Sequence, residues 1–414
     1  MGRKRLLIQV STLAMLVLLV SFTKKQCFAN EFPFASEANT PSQFILLNGV
    51  AATPEAFREI VSVFGKTTET KVSIGVGFII SYLALTPEEA AVRLRKYLAL
   101  SEQFDLPVIV QLDGEQWWGK RPDLWNWWDK SKAGYDPGNR KNVEWTGWIA
   151  DSAVRIGWRN WGRQIRVLPM PNLMSSAYRK ACHIEMRKLV PIVMNWWHRL
   201  PEDKKYLLVG IKVGWESAIG VNNWYYPDGN DLTDQPVKND PTYGLTLDSL
   251  PGRGVEAIGY AAVRSLGLDS SGKLTQEELT KVVKVHLEDL CRLCAAMGVP
   301  RNKLFTHCGG WSRRETLFYA ALNRYSCPGW SFYDDAYDPE KAVTAMAALK
   351  TSDAPYWGAV EWLYTGQNTE KGWLSALQHT LSIRRIRYLC IYNWGGIRNN
   401  HAAIGAIQAT CHPD

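Results

Sequence analysis

The chain has 414 residues, of which 46% are hydrophobic, 21% charged and 12% aromatic. This supply of apolar residues excludes a disordered chain, a collagen-like repeat and a small disulfide-stapled scaffold. The formal net charge of +8 falls to +3 when residues 1–29 are set aside, because that segment holds five basic residues and no acidic one. So small a charge on a large domain does not predict nucleic-acid binding.

The N-terminal segment has the pattern of a signal peptide. Residues 1–5 are basic, residues 6–22 are mostly apolar, and Cys27-Phe28-Ala29 offers a small-x-small cleavage site. An interrupted apolar stretch of about 17 residues is short for a stable membrane anchor. We therefore predict a signal peptide over residues 1–29, cleavage near Ala29, and a secreted or periplasmic domain over residues 30–414.

The cysteines favour buried thiols over a zinc site. Cys291 and Cys294 have the spacing of a metal-binding pair, but they lie in an amphipathic helical pattern and no second pair accompanies them. An odd number in an exported chain still permits up to three disulfides. After cleavage seven cysteines remain: Cys182, Cys291, Cys294, Cys308, Cys327, Cys390 and Cys411.

Short apolar runs of β-branched and aromatic residues recur along the chain and predict eight strands. They cover residues 44–49, 72–78, 108–112, 207–213, 304–307, 330–333, 357–360 and 388–392. Helical patterns lie between them, and three have a capping residue before proline, at Thr53, Thr86 and Asp338. Near-continuous apolar strands alternating with helices predict parallel pairing buried on both faces. Eight such units predict one α/β domain with a closed (β/α)8 TIM barrel; a doubly wound sheet is the alternative.

Two connections are unusually long: residues 114–173 after the third strand and residues 217–254 after the fourth. Both follow strand C-termini, the face on which barrel enzymes build their sites. The first is rich in tryptophan, which suits either stacking on sugar rings or a small core for the loop itself. Its tryptophans are Trp117, Trp118, Trp125, Trp127, Trp128, Trp145, Trp148, Trp158 and Trp161.

Two glutamates follow apolar strands at the predicted barrel mouth. Glu216 comes after the fourth strand and Glu361 after the seventh, so the two lie across the barrel from each other. Glycoside hydrolysis needs such a pair, one group to protonate the leaving oxygen and one to attack or to activate water. A salt bridge across the barrel top is the alternative for either residue alone.

This pattern, with an aromatic residue after strand eight (Trp394), resembles the clan A (β/α)8 glycoside hydrolases over residues 42–411. The resemblance implies that Glu216 is the acid/base and Glu361 the nucleophile, with Tyr333 or Tyr364 nearby and the anomeric configuration retained. Trp215 departs from it, since that clan usually has an asparagine before the acid/base that contacts the sugar 2-hydroxyl.

Other polar and aromatic residues at strand ends complete the predicted carbohydrate-binding set. Each polar group could instead be a strand-end charge satisfied by its neighbours, and Asp113 is the strongest rival catalyst. The set comprises Asp113, Glu115, Trp117, Trp118, Trp215, His307, Tyr333, Asp334, Trp362 and Trp394.

Neither a cofactor nor a metal is predicted. Asp113, His307 and Asp334 could ligate a metal, but no compact His-x-His or His-Glu-x-x-His spacing supports that alternative. The sequence thus predicts an exported glycoside hydrolase that acts on an oligo- or polysaccharide. The alternatives are a carbohydrate-binding barrel without catalysis and a metal-dependent carbohydrate-active hydrolase. The oligomeric state does not follow from the sequence.

Overall fold

The computed structural model describes residues 42–65, 70–115, 117–160, 164–219, 223–225, 256–268, 272–309 and 316–412. The predicted signal peptide lies outside these residues, as does most of the second long connection. None of the helices in the described ranges combines the length and the apolar character that a bilayer crossing requires.

Eight parallel strands close into a barrel, which confirms the predicted fold and excludes a doubly wound sheet. Each strand pairs with its neighbours in sequence, and the first pairs with the last. The strands are β1 (Gln43–Asn48), β2 (Val72–Ser81), β3 (Val108–Asp113), β4 (Leu208–Ser217), β5 (Leu304–Cys308), β6 (Gly329–Phe332), β7 (Trp357–Trp362) and β8 (Ile386–Ile391).

Helices cover the outside of the barrel. Two of the three capping residues predicted from the sequence stand at the start of an α-helix. Thr53 and Thr86 cap their helices through the hydroxyl, and Thr86 forms a capping box with Glu89. Asp338 is different: it precedes a three-residue turn and its carboxylate pairs with Lys341. The described α-helices are Pro54–Phe64, Pro87–Phe104, Pro122–Trp125, Ser176–Arg199, Tyr260–Ser265, Gln276–Ala296, Val343–Thr351, Glu370–Ser382, Trp394–Ile397 and His401–Cys411.

The inside of the barrel is apolar at one end and polar at the other. Side chains from the first part of the strands form a separate buried cluster that includes Phe44, Ile109, Phe305 and Tyr388. Further along, several strands carry buried polar side chains, such as Gln111 two residues after Ile109 and His307 two residues after Phe305; the Gln111 amide donates to Asn48 Oδ1 at 2.7 Å. Since residues i and i+2 face the same side of a strand, this change of chemistry places polar groups under the C-terminal mouth.

The two long connections are joined by a small antiparallel sheet. Its strands Gly157–Asn160 and Gln164–Val167 come from the first connection, Asn223–Tyr225 comes from the second, and Glu256–Ala257 directly follows the second. Several tryptophans of the first connection are buried and form the small loop core that was one of the two predicted roles. They are Trp118, Trp125, Trp127 and Trp145. The Trp158 side chain and Trp161 lie outside the described part of the chain.

The cysteines agree with the prediction of buried thiols. Each of the seven that the structure describes is free and buried. Cys291 and Cys294 lie on the inner face of helix Gln276–Ala296, with no exposed surface. Burial raises the pKa of the Cys291 thiol to about 12, so this group is held in the neutral form.

Candidate active site

A bulge at the end of β4 directs Glu216 into the barrel. The register between β4 and β5 shifts between Val213 and Ser217, and both Gly214 and Glu216 adopt positive φ angles, of 84° and 44°. Left-handed backbone costs a non-glycine residue about 1–2 kcal/mol. Such strain is concentrated at sites where side-chain direction matters more than local stability.

The two predicted catalytic carboxylates meet at the barrel mouth. Glu216 and Glu361 are each 1% exposed. The Tyr333 hydroxyl lies between them, 3.1 Å from Glu216 Oε1 and in a short hydrogen bond with Glu361 Oε2. Of the two tyrosines expected near the nucleophile, Tyr333 occupies that position, whereas Tyr364 packs edge-on against Trp373.

Burial and like charge hold a proton in this pair. Burial and the neighbouring Glu216 carboxylate raise the pKa of Glu361 to about 8, although Lys212 and the Tyr333 hydroxyl oppose the shift. Burial and the two carboxylates also raise the pKa of Tyr333 well above its usual value, so its hydroxyl keeps its proton. One carboxyl group of a close pair is therefore protonated near neutral pH, as acid catalysis requires.

A chain of buried polar groups leads from the pair toward the barrel interior. Ser331 Oγ donates to Glu216 Oε1 at 3.3 Å and lies 2.9 Å from His307 Nε2. The other ring nitrogen of His307 lies 2.6 Å from Lys212 Nζ. His307 is thus brought to the predicted site, but through Ser331 rather than by direct contact with the carboxylates.

A metal ion is geometrically conceivable at this site, but the donor chemistry disfavours it. One oxygen each from Glu216 and Glu361 and one nitrogen of His307 lie within 4.8 Å of one another. Both His307 nitrogens already take part in hydrogen bonds. A metal would have to displace one of these contacts and share the space with the Lys212 amine.

Asp113 and Glu115 belong to a buried hydrogen-bond network at the ends of β3 and β4. Asp113 accepts from the Ser81 hydroxyl at 3.0 Å and from the Glu115 N–H at 2.8 Å. The Glu115 carboxylate accepts from Ser217 Oγ at 2.5 Å and contacts His286 Nε2 at 3.1 Å. This buried network fastens the ends of β3 and β4 to the outer helix that carries His286.

The predicted aromatic contacts fall into two groups. Trp118 and Trp362 have no exposed surface and offer no face to a sugar in this structure. Trp362 points outward and its indole donates to Ala336 O at 3.0 Å, because it follows the inward-facing Glu361 in the strand. Trp215 stays at the site, edge-on to His307 with ring centroids 5.6 Å apart.

The remaining predicted residues surround the mouth at different depths. Trp117 is 39% exposed, while Trp394 is buried and packs edge-on against Phe64. Asp334 is exposed directly after Tyr333. The sugar-binding roles of Trp117, Trp394 and Asp334 stay predictions.

Three residues of the site were missed in the sequence. Lys212 is the most visible of them, because a lysine within an apolar, fully buried strand is rare without a partner. Ser331 carries no such signal. Tyr392, which packs edge-on against Tyr333 with centroids 6.1 Å apart, lies one residue beyond β8.

Comparison with known proteins gives structural likeness alone. No protein-family profile and no curated protein matches this chain in sequence. A broad-specificity endoglucanase from an uncultured bacterium is 8% identical, with a TM-score of 0.41 over 91% of this chain and 86% of that one. A glycoside hydrolase family 5 enzyme from Prevotella bryantii B14 is 9% identical, with a TM-score of 0.45 over 91% and 98%.

The catalytic domain of a β-amylase from Paenibacillus polymyxa shows a comparable structural similarity to this chain. It is 9% identical, with a TM-score of 0.47 over 90% of this chain and all of that one. Identities and TM-scores this low assign neither a family nor an activity to the chain. The function therefore has to be argued from the site itself.

Proposed function

We propose that this protein is an exported glycoside hydrolase that cleaves O-glycosidic bonds of an oligo- or polysaccharide. The observation that carries the proposal is the buried pair of Glu216 and Glu361 on opposite strands at the barrel mouth, with the Tyr333 hydroxyl between them. Two carboxyl groups in one site, one protonated and one ionised, supply the acid and the base or nucleophile that glycoside hydrolysis needs.

In the proposed mechanism Glu361 attacks the anomeric carbon while Glu216 protonates the leaving oxygen. Burial and like charge leave the pair with one proton, and in the reactive state this proton is on Glu216, because the hydrogen bond from Tyr333 to Glu361 Oε2 favours the ionised form of the nucleophile. Water then hydrolyses the glycosyl-enzyme, and Glu216 acts as the base in that second step. Trp117, which is partly exposed, is a candidate to contact the sugar beyond the cleaved bond.

The separation of the carboxylates supports retention of the anomeric configuration. One oxygen of Glu216 lies within 4.8 Å of one oxygen of Glu361, and the Tyr333 hydroxyl reaches both carboxylates, so the two groups are close. Retaining enzymes hold their carboxyl groups about 5–5.5 Å apart, whereas inverting enzymes need about 6.5–9.5 Å to admit a water molecule. Proton NMR of the first-formed product distinguishes the two, and an initially inverted anomer would refute retention.

A panel of aryl glycosides and of plant and microbial glycans tests the activity. We expect release of reducing sugar from at least one substrate by the wild type and by Glu202→Gln, a control at an exposed position. Glu216→Gln and Glu361→Gln should lose at least about 10³-fold in rate with the fold retained, since each removes one member of the carboxyl pair. Binding without hydrolysis by the wild type would favour the binding barrel, and loss of activity with strong chelators would favour a metal-dependent hydrolase.

The proposal of export rests on residues 1–29. A basic start, an apolar stretch and the Cys27-Phe28-Ala29 site form the signal-peptide pattern. N-terminal sequencing of the protein from the periplasm or the medium should begin at Asn30. An intact N-terminus on a membrane-bound protein would contradict cleavage.

A further inference from the structure

A lysine lies inside the barrel, four residues before Glu216 on the same strand. Lys212 is 1% exposed. Its Nζ lies 2.6 Å from His307 Nδ1 and 4.5 Å from the centre of the Trp215 ring. A buried ammonium group is costly unless it is both hydrogen-bonded and matched by an opposite charge, so its presence here needs a reason.

The hydrogen-bond chain from Lys212 has a defined direction. An ammonium group only donates, so His307 Nδ1 accepts and the proton of the neutral imidazole is on Nε2. That N–H donates to Ser331 Oγ at 2.9 Å, and the Ser331 hydroxyl then donates to Glu216 Oε1 at 3.3 Å. The chain therefore ends on the carboxylate pair, and every group in it has a partner.

Titratable groups on five strands of the barrel face Lys212. Carboxyl groups on β3, β4 and β7 face it, together with the imidazole on β5 and a thiol on β8. The carboxylate pair itself also faces Tyr333 and Tyr392. The titratable groups that face Lys212 are Asp113, Glu216, His307, Glu361 and Cys390.

We propose that Lys212 is a positioning residue that supplies the internal counter-charge of the Glu216–Glu361 pair and so keeps one of the two carboxylates ionised. This inference rests on the proposed function, because an ionised nucleophile beside a protonated acid is the state that the mechanism uses. Without the ammonium group, two buried carboxyl groups in so apolar a setting would both be neutral over a wider range of pH.

The electrostatics agree with the geometry. Burial lowers the pKa of Lys212 to about 8, while the surrounding carboxylates act in the opposite direction. Conversely, Lys212 lowers the pKa of Glu361 against the effect of burial. Each group thus stabilises the charged form of the other, which is the behaviour of an ion pair separated by a short hydrogen-bond chain.

Two substitutions at Lys212 separate charge from shape. Lys212→Met keeps the length and removes the amine, and Lys212→Gln keeps a donor for His307 but carries no charge. Lys303→Met is the control, since Lys303 is a second buried lysine, bonded to Leu208 O at the start of β4. Thermal unfolding of each variant checks that the fold is intact.

The pH profile of kcat/KM is the first readout. Loss of the positive charge raises the pKa of the pair, so the acidic limb should move to higher pH by about 1–2 units in both Lys212 variants. The limb should not move in Lys303→Met. A profile restored to that of the wild type by Lys212→Gln would contradict the counter-charge and leave only a hydrogen-bonding role.

A direct titration tests the inference independently of activity. In protein labelled with 13C at the glutamate side-chain carboxyl carbon, the Glu361 resonance is assigned by its loss in Glu361→Gln. We expect its midpoint to move to higher pH in Lys212→Met. An unchanged midpoint overturns the inference, whereas a shifted midpoint in a protein that hydrolyses no glycan supports the counter-charge and counts against the proposed function.

Discussion

At the scale of single residues, the site brings several energetically costly features together in one place. Glu216 has a left-handed backbone, Glu361 is a buried carboxyl group, and Lys212 is a buried amine. Elsewhere in the barrel interior the side chains are mainly apolar, as in the cluster around Phe44 and Phe305. Backbone strain and buried ionisable groups that occur together are typical of a functional site.

Removing the Tyr333 hydroxyl tests the link between the carboxylates. In Tyr333→Phe the pair keeps its place but loses its shared donor, so kcat/KM should fall by about 10²–10³-fold, by analogy with loss of one preorganised donor in an acyl-transfer site. Tyr337→Phe is the matched control, because Tyr337 is 41% exposed and its hydroxyl accepts from Lys341. Equal activity of both variants would show that the Tyr333 hydroxyl between the carboxylates does not contribute to catalysis.

The raised pKa of Glu361 predicts how stability depends on pH. Between about pH 4.5 and 8 the Glu216–Glu361 pair of the folded chain holds a proton that the same residues release in the unfolded chain, so the pair makes the free energy of unfolding fall as pH rises. Glu361→Gln removes the effect. Its stability relative to the wild type should increase across this window, by on the order of 1–3 kcal/mol at pH 8, and the difference should vanish below it.

Denaturant unfolding at a series of pH values measures this difference. Glu202→Gln, at an exposed position in the turn before β4, is the control. Its difference in unfolding free energy from the wild type should not change with pH. A constant difference between Glu361→Gln and the wild type from about pH 4 to pH 8 would contradict a raised pKa.

At the scale of elements, the decisive feature is the bulge that ends β4. A Cβ at Gly214 would lie 2.6 Å from Ser217 Oγ and 2.7 Å from Leu287 Cδ2, and the φ of 84° is unfavourable for any side chain. Ser217 in turn holds Glu115 through its hydroxyl. The bulge therefore couples the direction of Glu216 to the packing of the helix outside the strand.

Gly214→Ala should destabilise the fold by more than the backbone strain of a positive φ alone would. We expect a loss of roughly 2–4 kcal/mol in the free energy of unfolding, since backbone strain and overpacking both contribute. Gly267→Ala is the control, because Gly267 has a φ of 76° but no atom within 4 Å of the place that a Cβ would take. It should lose about 1–2 kcal/mol. Equal losses in both variants would mean that the packing around Gly214 is not tight.

The sequence predicted these elements better than their side-chain directions. All eight strands were predicted, and so were the two strand-end glutamates, because a carboxylate at the end of an apolar strand stands out against its surroundings. Trp362, predicted to contact substrate, has a fully buried side chain, because strand alternation places it on the face opposite to Glu361. The Ser331–His307–Lys212 chain could not be predicted. Its residues lie on three different strands, and the sequence does not show how close their side chains are in space.

At the scale of the whole molecule, the described chain is held together by a closed barrel without a disulfide among its described cysteines. Strand pairing continues around the ring, and each of the seven described cysteines is a free, buried thiol. The odd count left up to three disulfides open in the sequence. Only the three-dimensional packing decides between thiols and bridges, because a bridge requires two cysteines to approach each other.

The thermal midpoint of a protein that begins at Asn30 should therefore not depend on a reductant. We expect melting curves with and without excess dithiothreitol to coincide, and unfolded protein to react with seven equivalents of a thiol reagent. A midpoint lowered by the reductant, or fewer than seven reactive thiols, would show that disulfides form in this chain.

Chemical rescue with azide tests the central claim, that Glu216 and Glu361 are the acid/base and the nucleophile, more directly than any other measurement. In Glu216→Ala, azide should attack the glycosyl-enzyme and give a glycosyl azide of retained configuration; in Glu361→Ala it should replace the nucleophile and give the inverted one. We expect this opposite pair of products, identified by proton NMR with a substrate that has a good leaving group. Substantial turnover of either variant without azide, or the same anomer from both, would contradict it.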